Sequence, residues 1–242
     1  MESVQLAQNS VDEPDTPLAG LAYRTLRAAI LRGHLAPASR LKMEDLQRST
    51  GYSNSPLREA LSRLAMEGLV IALEHRGFRV ASISLSDLRD VTRMRVLLER
   101  EALRDAMVQG DEAWEASAVA AFHRLERVEG RIYAEKLALS DEWTERHREF
   151  HLALLAGCGS PRLVAQIAVL FDQAERYRRL SAAHRKEPRH KAAEHRHLLD
   201  LVLARDAVAA CASLEAHVLK TSVNVENVLG KVLQLHDSRP ID

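Results

Sequence analysis

A mainly α-helical chain in two parts is what the sequence predicts, and three observations predict it. Apolar residues make up 46% of the 242 while aromatics make up only 4%, with Leu, Ala and Arg abundant, a composition that suits helices better than a sandwich or barrel. Helical spacing of apolar residues runs through nearly the whole chain, broken only near residues 70–81 by two short strand-like runs. Charge also divides: residues 1–17 carry four acids and no Lys or Arg, residues 18–82 carry ten bases against five acids, and residues 83–242 are close to neutral. A basic N-terminal part on a neutral body points to a polyanionic partner for that part.

Residues 1–17 are polar, contain Pro14 and Pro17 and show no periodicity, so a disordered arm is expected there. Leu18, Leu21, Ala22, Leu26, Ala29 and Ile30 then fall at helical spacing, and Gly33 ends the run. The segment HLAPASRL is a turn in which Pro37 blocks continuation. Met43 to Ser49 makes a short helix and Gly51-Tyr52 a tight turn. Ser53 or Asn54 caps the next helix, which runs to about Gly68 with Pro56 tolerated in its first turn. Val70–Leu73 and Phe78–Ala81 form a small β-hairpin about the turn Glu74-His75-Arg76-Gly77. Helix, helix, turn, helix and hairpin, over residues 18–83, is the order of a winged helix-turn-helix with a hairpin wing.

Six helices are expected beyond it: Ser86–Val108, Glu112–Leu137, Asp141–Ala156, Pro161–Ala183, Pro188–Arg205 and Asp206–Leu229. Ser86, Ser140 and Ser160 are read as N-caps. Short connections make this an antiparallel all-helical bundle over residues 84–230, followed by a loose tail at 231–242. The two cysteines, Cys158 and Cys211, are too few for a disulfide scaffold. No apolar run approaches the ~20 residues of a membrane span, and the N-terminus lacks the basic start and apolar stretch of a signal peptide. A cytoplasmic location is therefore the expectation.

A helix-turn-helix lays its second helix in the major groove of DNA, where N-terminal residues reach base edges. Here those residues are Ser53, Asn54, Ser55 and Arg58. Asn pairs bidentately with adenine, Arg with guanine, and Ser serves bases or phosphates. Leu57, Ala60, Leu61 and Leu64 fall on the core-facing side of the same helix, which leaves its polar side free. At the hairpin tip, His75, Arg76 and Gly77 suit a minor-groove or backbone contact. The same stretch, SNSPLREALSRL, also reads simply as a capped amphipathic helix.

The run SPLREALSRLAMEGLV, preceded by LKMEDLQRSTGYSN and followed by the basic hairpin, resembles the GntR family of regulators, with turn, recognition helix and wing in register. That resemblance implies binding to a pseudo-palindromic double-stranded operator as a two-fold homodimer, with Ser53, Asn54, Ser55, Arg58, His75, Arg76 and Gly77 on DNA. Many members place an Arg where this chain has Glu44 and another where it has Asn54, so operator preference does not carry over.

Nine of the eleven histidines lie beyond residue 83. His147 and His151 are four apart and share a helix face, a spacing that can hold one metal ion. His195 and His217 sit at similar depths in successive helices, while His123, His184, His190 and His197 read as surface residues. Spacing alone leaves a metal site and unconnected helix histidines both open. The segments LRDVTRMRVLLEREAL, REFHLALLAGCGSPRL and EHRHLLDLVLARDAVAACASLEAHV resemble the all-helical FCD-type ligand-binding domain of the FadR subfamily of GntR regulators, so that resemblance covers roughly residues 18–229. Many members hold a divalent metal there through an Asp and three His. The His positions match His151, His195 and His217; the Asp position is His147 here. A four-His set favours zinc or nickel over harder ions.

Neutral imidazoles leave the ion's charge uncompensated, and a small carboxylate effector, the class implied by the resemblance, would supply it. Arg95 is the expected second anchor for that carboxylate, with an i, i+4 pair to Glu99 as its other reading. The function so implied is an effector-responsive DNA-binding regulator, a repressor. A regulator that senses the metal itself is the alternative. A metal-dependent hydrolase is more remote, because no carboxylate stands as an evident general base and no nucleophile motif is present.

Overall fold

In the computed structural model, residues 17–74, 76–135, 140–184 and 192–237 are described. Contacts divide the chain into two compact units with a boundary between Ser84 and Leu85.

The first unit runs α1 (Leu18–Leu31), β1 (Arg40–Leu41), α2 (Met43–Thr50), α3 (Asn54–Met66), β2 (Val70–Leu73) and β3 (Gly77–Val80). Its core forms because Ala22, Leu26 and Ile30 on α1 recur at helical spacing and meet Leu57, Ala60, Leu61 and Leu64 of α3, with Leu46, Leu69, Val70 and Val80 closing the ends. Leu18, expected on that face, is exposed. Gly51 closes α2 in the left-handed region, at φ +76°, with its N–H on the Gln47 carbonyl; an L side chain there is strained. Ser53 stands at the N-cap of α3 with extended backbone, but its hydroxyl makes no capping bond. The wing is wider than a hairpin. β1 pairs antiparallel with β3, giving the order β1-β3-β2 and the register Arg40 opposite Arg79. Segment 40–41, read as part of a turn, is a strand because β3 offers it a free edge.

The second unit runs α4 (Leu85–Gln109), α5 (Glu112–Glu135), α6 (Asp141–Leu155), α7 (Pro161–Ala183), α8 (Ala192–Leu203) and α9 (Ala207–Asp237). Ser140 and Ser160 cap α6 and α7, accepting the Trp143 and Leu163 N–H groups. Ser86 is not a cap, since α4 already begins at Leu85. A core built from Leu103, Phe122, Leu125, Phe150, Leu154, Leu198 and Leu214 runs through the unit. Arg205 adopts φ +56° between α8 and α9 and donates to the Met107 and Gly110 carbonyls at the α4–α5 turn. No tail begins at residue 231: α9 continues to Asp237, because neither Gly230 nor the residues after it stop a helix before Pro240. No helix among the described residues is long and apolar enough to cross a membrane.

Candidate functional site

On the first unit, Ser53, Asn54, Ser55 and Arg58 are all exposed on the opening turns of α3, while Leu57, Ala60, Leu61 and Leu64 are fully buried behind them. The helix thus presents its N-terminal polar face to solvent. Arg76 and Gly77 are exposed at the wing turn, and His75 lies outside the described residues. The strand β1 adds residues that sequence reasoning passed over. Arg40 and Arg79 are cross-strand partners and both exposed. Arg40 Nη2 also donates to the Arg76 carbonyl at 3.0 Å, tying the first strand to the wing turn. Like charges directly opposite each other destabilise a sheet, so this pair fits a surface that meets a polyanion.

On the second unit, four histidines converge from three helices. His147 and His151 rise one turn apart on α6, His195 comes from α8 and His217 from α9, and all four are buried. One ring nitrogen of each lies within 4.8 Å of the others. Trp143 stacks on His147 at 4.4 Å between centroids, Phe171 stands 5.5 Å from His147, and Phe150 5.6 Å from His195. Four imidazole donors in an aromatic shell suit zinc, nickel or copper; magnesium and calcium take oxygen ligands. Donors on a tetrahedral zinc stand roughly 3.3 Å apart, so closing onto an ion needs shifts of about an ångström. The residues fit a divalent metal. His123, His184 and His197 are exposed, and His190 lies outside the described residues.

A cavity of about 30 Å³ adjoins the cluster, lined by His147, His217, Arg95, Phe171, Glu175 and Arg178 among others. Arg95 makes the i, i+4 pair, its Nε donating to Glu99 at 2.6 Å, and also lines the cavity with its guanidinium 4.7 Å over the Phe171 ring. Arg178 was not foreseen. It is 6% exposed, stacks 4.2 Å over Trp143 and pairs with Glu175, yet its Nη1 makes no hydrogen bond. Burial pulls this guanidinium below its ordinary pKa, with Glu175 opposing. Glu175 is also held by Thr144 Oγ1 at 3.1 Å and Arg179 Nε at 3.0 Å.

The expectation of an uncompensated cluster needs correcting. Glu129 of α5 places Oε1 3.1 Å from His195 Nδ1, and Glu194 of α8 places Oε2 3.0 Å from His217 Nδ1. Two carboxylates therefore stand behind the rings. No local signal marked them, because each comes from a helix stretch whose other charged residues face solvent.

The family profile described as "Bacterial regulatory proteins, gntR family" matches residues 18–80, and that of the FCD domain matches residues 90–220. The uncharacterized HTH-type transcriptional regulator BphR of Paraburkholderia xenovorans LB400 is 39% identical, over 86% of this chain and 84% of its own. The HTH-type transcriptional repressor GlaR of Escherichia coli K12 is 37% identical, over 81% of this chain and 90% of its own. Among solved structures, E. coli McbR/YncC superposes with a TM-score of 0.72 at 20% identity, over 90% of this chain and 99% of its own, a likeness of fold. These families and relatives are regulators of transcription, not enzymes.

Proposed function

Because this chain belongs to the gntR family of bacterial regulatory proteins, as a DNA-binding regulator of transcription with an FCD domain, we propose that it is a repressor controlled by a small carboxylate bound beside a divalent metal. The observation that carries the proposal is the meeting of four buried histidines with a cavity lined by Arg95 and Arg178. His147, His151, His195 and His217 hold the ion, zinc or nickel by the softness of their nitrogens. When bound, the ion supplies a Lewis-acidic position for one carboxylate oxygen. Arg95 and Arg178 supply charge-assisted hydrogen bonds to the acid. Repression is supported by the E. coli relative GlaR, a transcriptional repressor.

Control requires that the acid bind one arrangement of a two-fold dimer better than another, since equal affinity shifts nothing. Ser53, Asn54, Ser55, Arg58 and the wing residues Arg76 and Gly77 then meet a pseudo-palindromic operator, whose half-sites mirror the symmetry of the protein.

One observation favours a second reading, in which the metal alone is the signal. The cavity is small, about 30 Å³, and both of its guanidiniums are already paired, Arg95 with Glu99 and Arg178 with Glu175, so an acid competes with a glutamate for each.

Elemental mass spectrometry on full-length protein purified without chelators or a His-tag tests the metal. About one ion per chain is expected, lost in His151→Ala; no ion in the wild type overturns the proposal. Operator binding followed with and without a panel of small carboxylates, on metal-loaded protein, then separates the two readings. Affinity that tracks the metal and ignores every acid selects the second.

A further inference from the structure

Resting on the metal reading above, we infer that Glu129 and Glu194 are positioning residues that fix which nitrogen His195 and His217 present to the ion and that offset its charge. Glu129 is 1% exposed. Its Oε1 accepts the Trp143 indole N–H at 3.2 Å and faces His195 Nδ1, while its Oε2 makes no hydrogen bond. A buried carboxylate is costly unless a positive charge answers it, and the Trp143 indole is neutral. Among the described residues, the group at hand to supply a counter-charge is the histidine cluster that Glu129 adjoins. Glu194 repeats the arrangement from α8: Oε2 faces His217 Nδ1, and Oε1 is held by Lys220.

A ring whose Nδ1–H is given to a carboxylate keeps the Nε2 lone pair for a metal, in a fixed orientation and with raised basicity. His217 is secured in this way by Glu194; Glu129 Oε1 stands 3.1 Å from His195 Nδ1 without completing the hydrogen bond, close enough to take that N–H once the ring turns onto an ion. His147 and His151 have aromatic neighbours instead, Trp143 and Phe171. With Glu129 behind one ring and Glu194 shared between His217 and Lys220, part of a divalent ion's charge is offset before any acid arrives. The site accordingly loads without an effector, and the acid reads a preformed centre.

The test uses full-length protein stripped of metal, with zinc as the probe and a chromophoric chelator as competitor. Glu129→Gln and Glu194→Gln keep the shape and a hydrogen-bond acceptor; Glu129→Leu and Glu194→Leu remove both acceptor and charge. Glu194 is partly exposed, so its variants leave the core undisturbed. Each Gln variant is expected to bind zinc about tenfold more weakly, and each Leu variant up to about a hundredfold, at unchanged stoichiometry. Nitrogen-15 spectra of the histidine rings in metal-free protein give the readout that a purely structural role leaves unmoved. The His195 ring is expected as an Nδ1–H tautomer that changes only in Glu129→Leu, and the His217 ring as one that changes only in Glu194→Leu. Zinc affinity within threefold of wild type in both Leu variants, or ring tautomers unaltered in both, overturns the inference. If wild-type protein takes up no zinc, the metal reading fails, and the ring spectra alone then decide whether these glutamates position the histidines.

Discussion

Leu57 and Arg58 are adjacent on α3, yet Leu57 is fully buried and Arg58 exposed, so their substitution should separate folding from recognition. Leu57→Ala opens a cavity between α1 and α3 and is expected to cost the first unit about 2–5 kcal/mol, seen as a lower thermal midpoint. Arg58→Ala should leave that midpoint unchanged and weaken operator binding by about 1–3 kcal/mol, with relaxed preference at one base position. An unchanged operator affinity would remove Arg58 from the interface. At this scale the apolar half of the chain was legible, because helical period alone assigns Leu57, Leu61 and Leu64 to one face. The four histidines were legible too, though through resemblance as much as spacing. Arg178, Glu175 and Glu129 were not: within ERYRRL and RVEG a buried ionic side chain is spelled the same way as a solvated one. What distinguishes them is the helix that packs over them, which no local pattern records.

The wing shows the same limit for whole elements. β1 is two residues long, too short for any alternation to register, and exists because β3 has a free edge for Arg40 and Leu41 to join. Its presence sets Arg40 opposite Arg79 and yields a prediction that a hairpin alone would not. Arg79→Ala relieves like-charge repulsion, so the fold should be at least as stable as before. Operator binding should nevertheless weaken evenly across sequences, with the slope of log affinity against log salt reduced by about one. Titrating a specific and a scrambled duplex at several salt concentrations checks this; a loss confined to the specific duplex would make Arg79 a base reader instead. Helix ends divided similarly. Ser140 and Ser160 were readable as caps because a hydroxyl three residues ahead of a free N–H is a local device. The end of α9 was not, since no stop signal stands between Leu229 and Pro240 and polar composition alone suggested a tail.

At the scale of the molecule, control by the proposed effector requires the cavity to be linked to the start of α4, and α7 touches both. Phe171, Glu175 and Arg178 line the cavity from this helix. Tyr177, fully buried on the same helix, donates its hydroxyl to Asp87 in the first turn of α4, directly after the boundary at Ser84–Leu85. A shift of α7 on loading the cluster thus has a short route to the start of α4, through one charge-assisted hydrogen bond. Tyr177→Phe removes that bond and keeps the ring, at a cost of about 1.5–3 kcal/mol to the second unit. Zinc affinity should be unchanged, because Tyr177 is not among the four residues whose nitrogens converge, His147, His151, His195 and His217. Hydrogen exchange provides the measurement. Zinc added to wild-type protein should slow exchange both around the histidines of α6, α8 and α9 and through residues 85–92, whereas in Tyr177→Phe only the first region should respond. Equal slowing of residues 85–92 in both proteins would show that the signal travels by α4's own contacts with the cavity, through Thr92 and Arg95, and not by way of α7.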